Sequence, residues 1–201
     1  MSVRYFHLQE VFMKKTRIMC ECAVMLALSI ALSYVEIYKM PMGGGITLLS
    51  MLPVLLVGVK HGLKWGLGTS LLFAAYQLIQ GIAAGNVFVY CNTAAIVILC
   101  ALFDYIVPFG ILGLSGFAWV KKYGFSRMRI LVTFGILIAA RFVCHYITGV
   151  FIWGQWADGM SRELYSLLYN GQYMLPELIL TVAAAAALTA VKPVRQLLCE
   201  E

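Results

Sequence analysis

The feature that most limits what this chain can become is the placement of its basic residues. Long apolar runs alternate with short polar segments, and Lys and Arg gather in every second one of those segments. Six spans, near residues 17–38, 46–61, 64–82, 94–119, 130–155 and 165–191, account for the pattern at about 20 residues per crossing. One side then collects Arg4, Lys14, Lys15, Arg17, Lys60, Lys64, Lys121, Lys122, Arg127, Arg129, Lys192 and Arg195, while the other keeps only Lys39 and Arg162. Positive residues stay on the cytoplasmic side of a bilayer, so both termini are expected inside. Of the 15 cations, Arg141 alone is left within a span.

Composition agrees. The chain is 62% hydrophobic and 12% charged, with a mean hydropathy of +0.88, against roughly 25% charged in a soluble domain. The expected fold is an all-α, six-helix membrane bundle forming a single domain over 1–201, with no room for a soluble catalytic domain. The net charge of +6 then reflects topology and attraction to anionic lipid, not a nucleic-acid partner. Lys14, Lys15 and Arg17 precede a first apolar run without a small-residue cleavage site, so a span is expected there in preference to a cleaved leader. Cys20 and Cys22 lack the second ligand pair of a zinc site, and the cysteines read as buried inert thiols, with no metal expected.

Polar function concentrates in residues 141–177, RFVCHYITGVFIWGQWADGMSRELYSLLYNGQYMLPE. Arg141, His145, Gly149 and Trp153 recur every four residues, and on a helix the first three share one face. Hydrocarbon cannot satisfy such groups, so they are expected to point into a cavity. A buried arginine needs a carboxylate, and Asp104 and Glu177 are the alternatives. By rise per residue, His145, Asp104 and Asn170 all fall roughly 24–33 Å from their cytoplasmic anchors, in the outer half of a core of about 30 Å. The stretch KMPMGGGIT, residues 39–47, is expected to be a bent loop on that side, with Gly43, Gly44 and Gly45 as a candidate lid. Pro108 is expected to loosen the fourth helix one turn after Asp104. Ala23, Ala27 and Ala31 form a small-residue row on the first helix that would admit a close helix neighbour.

MPMGGGIT followed by MLPVLL, the FDY of helix 4, the H-x-x-x-G-x-x-x-W of helix 5 and YSLLYNGQYMLPE of helix 6 together resemble the thiamine-specific substrate-binding (S) components of energy-coupling factor transporters. The resemblance runs from the first helix to Glu177. It implies a non-enzymatic protein of the prokaryotic plasma membrane that binds thiamine from outside. It also implies partners: a transmembrane coupling (T) component and two ATPase subunits that use the ATP, with no cofactor held by this chain. Its ligand-binding positions fall on Asp104, Tyr105, Arg141, His145, Gly149, Trp153, Tyr165 and Asn170, and its coupling-subunit face on Ala23, Ala27 and Ala31. The chain departs from some members in having Gly43–Gly45 where they carry a tryptophan and aspartate at 104 where they carry glutamate. A thiamine precursor would satisfy most of the same groups.

Two other classes compete. An intramembrane enzyme needs a nucleophile with a base beside it, and Ser115 and Ser166 have no neighbouring histidine in sequence. An autonomous secondary transporter is usually built from repeated halves, and no internal repeat is visible.

Overall fold

The computed structural model describes residues 2–85 and 91–200, with side chains from residue 12 onward. Asn86 and Tyr90, from the sequence ahead of the expected fourth span, lie outside the described residues.

Helix α1 runs from Ser2 to Ser33, so it begins well before the first span expected near residue 17 and ends before residue 38. A hairpin follows: β1 (Glu36–Lys39) pairs antiparallel with β2 (Gly45–Thr47), with Tyr38 opposite Ile46 and Lys39 opposite Gly45. The expected loop 39–47 is therefore the tight end of a two-stranded ribbon. Gly43 and Gly44 turn it at φ 94° and 80°, a region that glycine enters without penalty. Next come α2 (Leu52–His61), with Pro53 in its first turn where a missing N–H costs nothing, and α3 (Leu63–Ala83).

The fourth span departs most from a regular helix. It is assembled from α4 (Ala94–Cys100), a π-helical turn (Ala101–Ile106), α5 (Val107–Gly110), a 3-10 stretch (Ile111–Ala118) and α6 (Val120–Tyr123). The irregularity begins before Pro108, because its ring nitrogen cannot donate to the carbonyl of Asp104 as an α-helix requires. The 3-10 stretch then packs backbone to backbone on α2 and α3. A Cβ at Gly66 would lie 2.6 Å from the Gly113 carbonyl oxygen, and one at Gly116 would lie 2.5 Å from the Leu63 Cα.

Helix α7 (Arg127–Phe151) starts on Ser126, whose hydroxyl accepts from Arg129 N, and α8 (Arg162–Ala190) starts on Ser161 in the same manner. The two pack along each other. Trp153 falls beyond α7, in a 3-10 turn (Trp153–Trp156), so the fifth helix ends sooner than the expected 155. Helix α9 (Lys192–Cys199) closes the chain.

Four segments are long and apolar enough to cross a bilayer: Phe12–Ser33, Ala94–Tyr123, Arg127–Phe151 and Arg162–Ala190. Burial differs from that of a water-soluble domain, since charged and polar side chains join the apolar core while large apolar ones cover the outside. Arg141, His145, Asn170, Glu177 and Thr181 are buried, while Ile79, Ile136, Val143, Phe151 and Leu175 face outward. Only a hydrocarbon solvent stabilises that arrangement, and the chain is a multi-pass cell-membrane protein. Glu21 on α1 joins Lys60 Nζ at 2.7 Å and His61 Nε2 at 2.9 Å at the far end of α2. The hairpin, which links the other ends of α1 and α2, therefore lies at the opposite end of the bundle.

Candidate functional site

Asp104 projects from the π-helical turn, a geometry that recurs at functional sites because it re-aims one side chain. Its carboxylate is filled with donors. Oδ2 accepts from Trp153 Nε1 at 2.9 Å and from Cys100 Sγ at 3.4 Å. Oδ1 accepts from His145 Nδ1 at 3.2 Å and from the Thr148 hydroxyl. A carboxylate can only accept, so the proton of this bond sits on Nδ1 of His145, and Nε2 is turned away from Asp104. That Nε2 is buried with no partner among the described residues.

Arg141, His145 and Gly149 keep the expected four-residue register on α7, and all three are buried. Arg141 takes Glu177, not Asp104, as its carboxylate: Nη1 lies 3.3 Å from Oε2, and the two residues are 7% and 4% exposed. The guanidinium also covers the Phe109 ring at 4.2 Å. Gly149 lets α8 approach, since a Cβ there would come within 2.8 Å of Asn170 Nδ2. Asn170 uses the contact to donate to the His145 carbonyl at 3.1 Å, and its Oδ1 accepts from Tyr173 at 2.8 Å. Its amide thus ties α7 to α8, leaving a lone pair of Oδ1 for anything else.

A second four-residue row, Tyr165, Tyr169, Tyr173 and Glu177, runs along α8 and holds the hairpin. The Tyr169 hydroxyl accepts from Met42 N at 2.9 Å and donates to the Gly43 carbonyl at 3.0 Å. Gly44 sits on the Tyr173 ring, where a Cβ would be 2.8 Å from Cζ. Glu177 Oε1 accepts from Thr47 N at 2.7 Å and from Thr47 Oγ1 at 2.6 Å. The hairpin is fastened at its tip by tyrosine and at its base by glutamate.

Between these walls lies a cavity of about 190 Å³, far more than the roughly 10–15 Å³ that one water needs. Its lining includes Asp104, Tyr105, Arg141, His145, Gly149, Trp153, Tyr165 and Asn170, and the hairpin glycines Gly43, Gly44 and Gly45 close one side. It also includes Glu177, one of the two carboxylates expected as a partner for Arg141, and Gln77, Gln80, Tyr169 and Tyr173, which sequence reasoning left without a role. The spacing of four from Tyr165 to Glu177 was the signal for the two tyrosines. Ala23, Ala27 and Ala31 lie elsewhere, exposed on α1. Ala23 borders a shallow apolar groove with Trp65, Gly68 and Leu72 of α3. All six cysteines are free, and the described residues contain no cluster of three or more metal-ligating side chains.

A helical bundle with a lipid-facing apolar surface and a partly open cavity lined by polar and aromatic side chains is the architecture of a membrane protein that can bind a small solute within the bilayer. The thiamine transporter protein (Thia_YuaJ) family matches residues 19–196, and the chain belongs to it. It is 33% identical to the thiamine transporter ThiT of Bacillus subtilis over 184 residues, covering 86% of this chain and 90% of that protein. It is 26% identical to ThiT of Lacticaseibacillus paracasei over 199 residues, with 90% of each chain covered. A solved structure of ThiT from Listeria monocytogenes superposes with a TM-score of 0.68 at 24% identity, over 90% of this chain and 97% of that one, so the fold is shared.

Proposed function

We propose that this chain is the thiamine-binding S component of an energy-coupling factor importer. It would be a single six-span domain over 1–201 with cytoplasmic termini, capturing thiamine at the hairpin end of the bundle. A transmembrane coupling component and two ATPase subunits would supply the driving force, and the chain itself would hold no cofactor and catalyse no reaction. The family and the names of its relatives support thiamine as the solute.

The observation that carries the reading is the charge balance of the cavity. Glu36 faces Lys39 at 3.5 Å and Glu177 faces Arg141 at 3.3 Å. Asp104 faces a thiol, an imidazole, a hydroxyl and an indole, none of them a fixed cation. Its charge is therefore free to balance a cation held beside the Trp153 ring, where stacking and cation–π attraction add to the Coulomb term. Thiamine has a permanently cationic thiazolium and a flat aminopyrimidine, which matches an anion flanked by aromatic and amide groups.

Titration of the detergent-purified protein with thiamine, followed by tryptophan fluorescence, tests the reading. Saturable binding at submicromolar concentration is expected, with uptake into liposomes only when the coupling and ATPase subunits are present. Uptake by the isolated chain would move it to the autonomous transporters, and absence of binding would remove thiamine as its solute.

A further inference from the structure

The wall formed by α3 has no part in the charge balance described above, yet it is polar. Gln77 and Gln80 are three residues apart on one face of the helix, both line the cavity, and both are half-buried. Neither amide bonds to another described residue, in contrast to Asn170. One residue further on, Gly81 lets Tyr105 lie directly on α3, where a Cβ would be 2.5 Å from the phenol Cζ. The π-helical turn with Asp104 touches α3 on one side and α7 on the other, and α7 in turn packs on α8. The cavity is thus ordered from the amides of α3, through the anion of Asp104, to the aromatic and amide wall of α8.

We propose that Gln77 and Gln80 form the subsite for a neutral hydroxyl at the tail of the ligand, and that α3 sets the preference for an alcohol over a hydrocarbon there. Two primary amides offer donors and acceptors without charge. An anionic tail would face Asp104 and Glu36, and a hydrocarbon tail would leave both amides desolvated and unpaired. This rests on the thiamine reading, in which the pyrimidine and the hydroxyethyl group leave the thiazolium on opposite sides, in the same order as α8, Asp104 and α3.

The test compares thiamine with its analogue carrying ethyl in place of hydroxyethyl, titrated against wild type, Gln77→Leu, Gln80→Leu, the double variant and the shape-preserving Gln80→Met. Wild type is expected to bind thiamine about tenfold more tightly than the ethyl analogue, because a site built to bond a hydroxyl rejects the ligand lacking it. In the double variant that ratio should fall to about one, with the affinity for the ethyl analogue unchanged or improved. Each ratio is taken on a single protein, so a lower folded fraction cancels. A wild-type ratio near one, or a ratio that survives in the double variant, overturns the assignment while leaving thiamine as the solute. Failure of wild type to bind either ligand overturns the thiamine reading, and the tail subsite with it.

Discussion

Trp153 donates its indole N–H to Oδ2 of Asp104 at 2.9 Å, although it lies past the end of α7 and Asp104 sits on a different span. The ring proposed to stack on a cationic ligand is oriented by the carboxylate proposed to balance that ligand's charge. The two groups act as a unit, and substitutions at either are expected to be non-additive.

Asp104→Asn deletes the charge and puts an amide donor where Cys100, His145, Thr148 and Trp153 all present donors. Loss of a desolvated charge partner costs about 2–5 kcal/mol, or roughly 30- to several-thousand-fold in affinity. A neutral analogue with an uncharged ring in place of thiazolium should lose much less on the same substitution. Calorimetric titration of both ligands against both proteins gives the double cycle, and equal losses would return Asp104 to a purely structural role.

Trp153→Phe keeps an aromatic face but removes the N–H bonded to Asp104. We expect thiamine affinity to fall by about 1.5–3 kcal/mol, the range for hydrogen bonds to charged groups, and most of the fluorescence change on binding to disappear. Trp119 serves as the control, because its N–H donates to the Lys60 carbonyl at the other end of the bundle. A ligand-dependent signal that survives Trp153→Phe and vanishes with Trp119→Phe would place the site elsewhere.

The Glu177 carboxylate serves Arg141 and Thr47 together, so its removal acts on stability before it acts on binding. Glu177→Leu leaves a buried guanidinium without a carboxylate and should cost about 3–5 kcal/mol, read as a fall in the detergent melting temperature. Adding Arg141→Met removes the orphaned charge and should recover much of that loss. If the double variant melts no higher than Glu177→Leu alone, the cost comes from the freed Thr47 hairpin and not from the ion pair.

Tyr169→Phe tests the fastening of the hairpin tip. The bonds of its hydroxyl from Met42 N and to the Gly43 carbonyl are lost while the ring that packs on Tyr165 at 5.6 Å remains. Two net hydrogen bonds of about 1 kcal/mol each predict roughly a 30-fold faster dissociation of bound thiamine in stopped-flow chase. An unchanged dissociation rate would show that the ligand leaves by a route the hairpin does not cover.

What the sequence made legible was governed by short-range periodicity and charge. The four-residue spacing of Arg141, His145 and Gly149 located one wall of the cavity, because a helix converts that spacing into a shared face. Pro108 announced an irregular fourth span, but not that the irregularity would precede it as a π-helical turn carrying Asp104. Which carboxylate would meet Arg141 was undecidable, because Glu177 and Asp104 are both distant in sequence and only packing of α7 on α8 selects between them. The β1–β2 ribbon was hidden for a related reason. Its pairing is held by α8 through Thr47, Met42 and Gly43, and a glycine run alone reads as a loop. Trp153 kept its place at the cavity despite leaving the helix, since the 3-10 turn carries it toward Asp104.

The alanine row gives a prediction that separates binding from coupling. Ala23, Ala27 and Ala31 are exposed on α1, and the groove beside Ala23 reaches Gly68 of α3 between the apolar side chains of Trp65 and Leu72, so small residues on both helices leave room for a partner helix to approach. Ala27→Trp should leave thiamine affinity of the isolated protein within about twofold, because exposed substitutions far from a site usually change stability by about 0.5 kcal/mol or less. Uptake by the assembled transporter should nonetheless fall to background, because the indole occupies the space a neighbouring helix needs. Thiamine binding and ATP-dependent uptake by the same variant, reconstituted with the proposed coupling and ATPase subunits, distinguish the two effects. Wild-type uptake by Ala27→Trp would show that this face meets lipid and that coupling occurs on another surface.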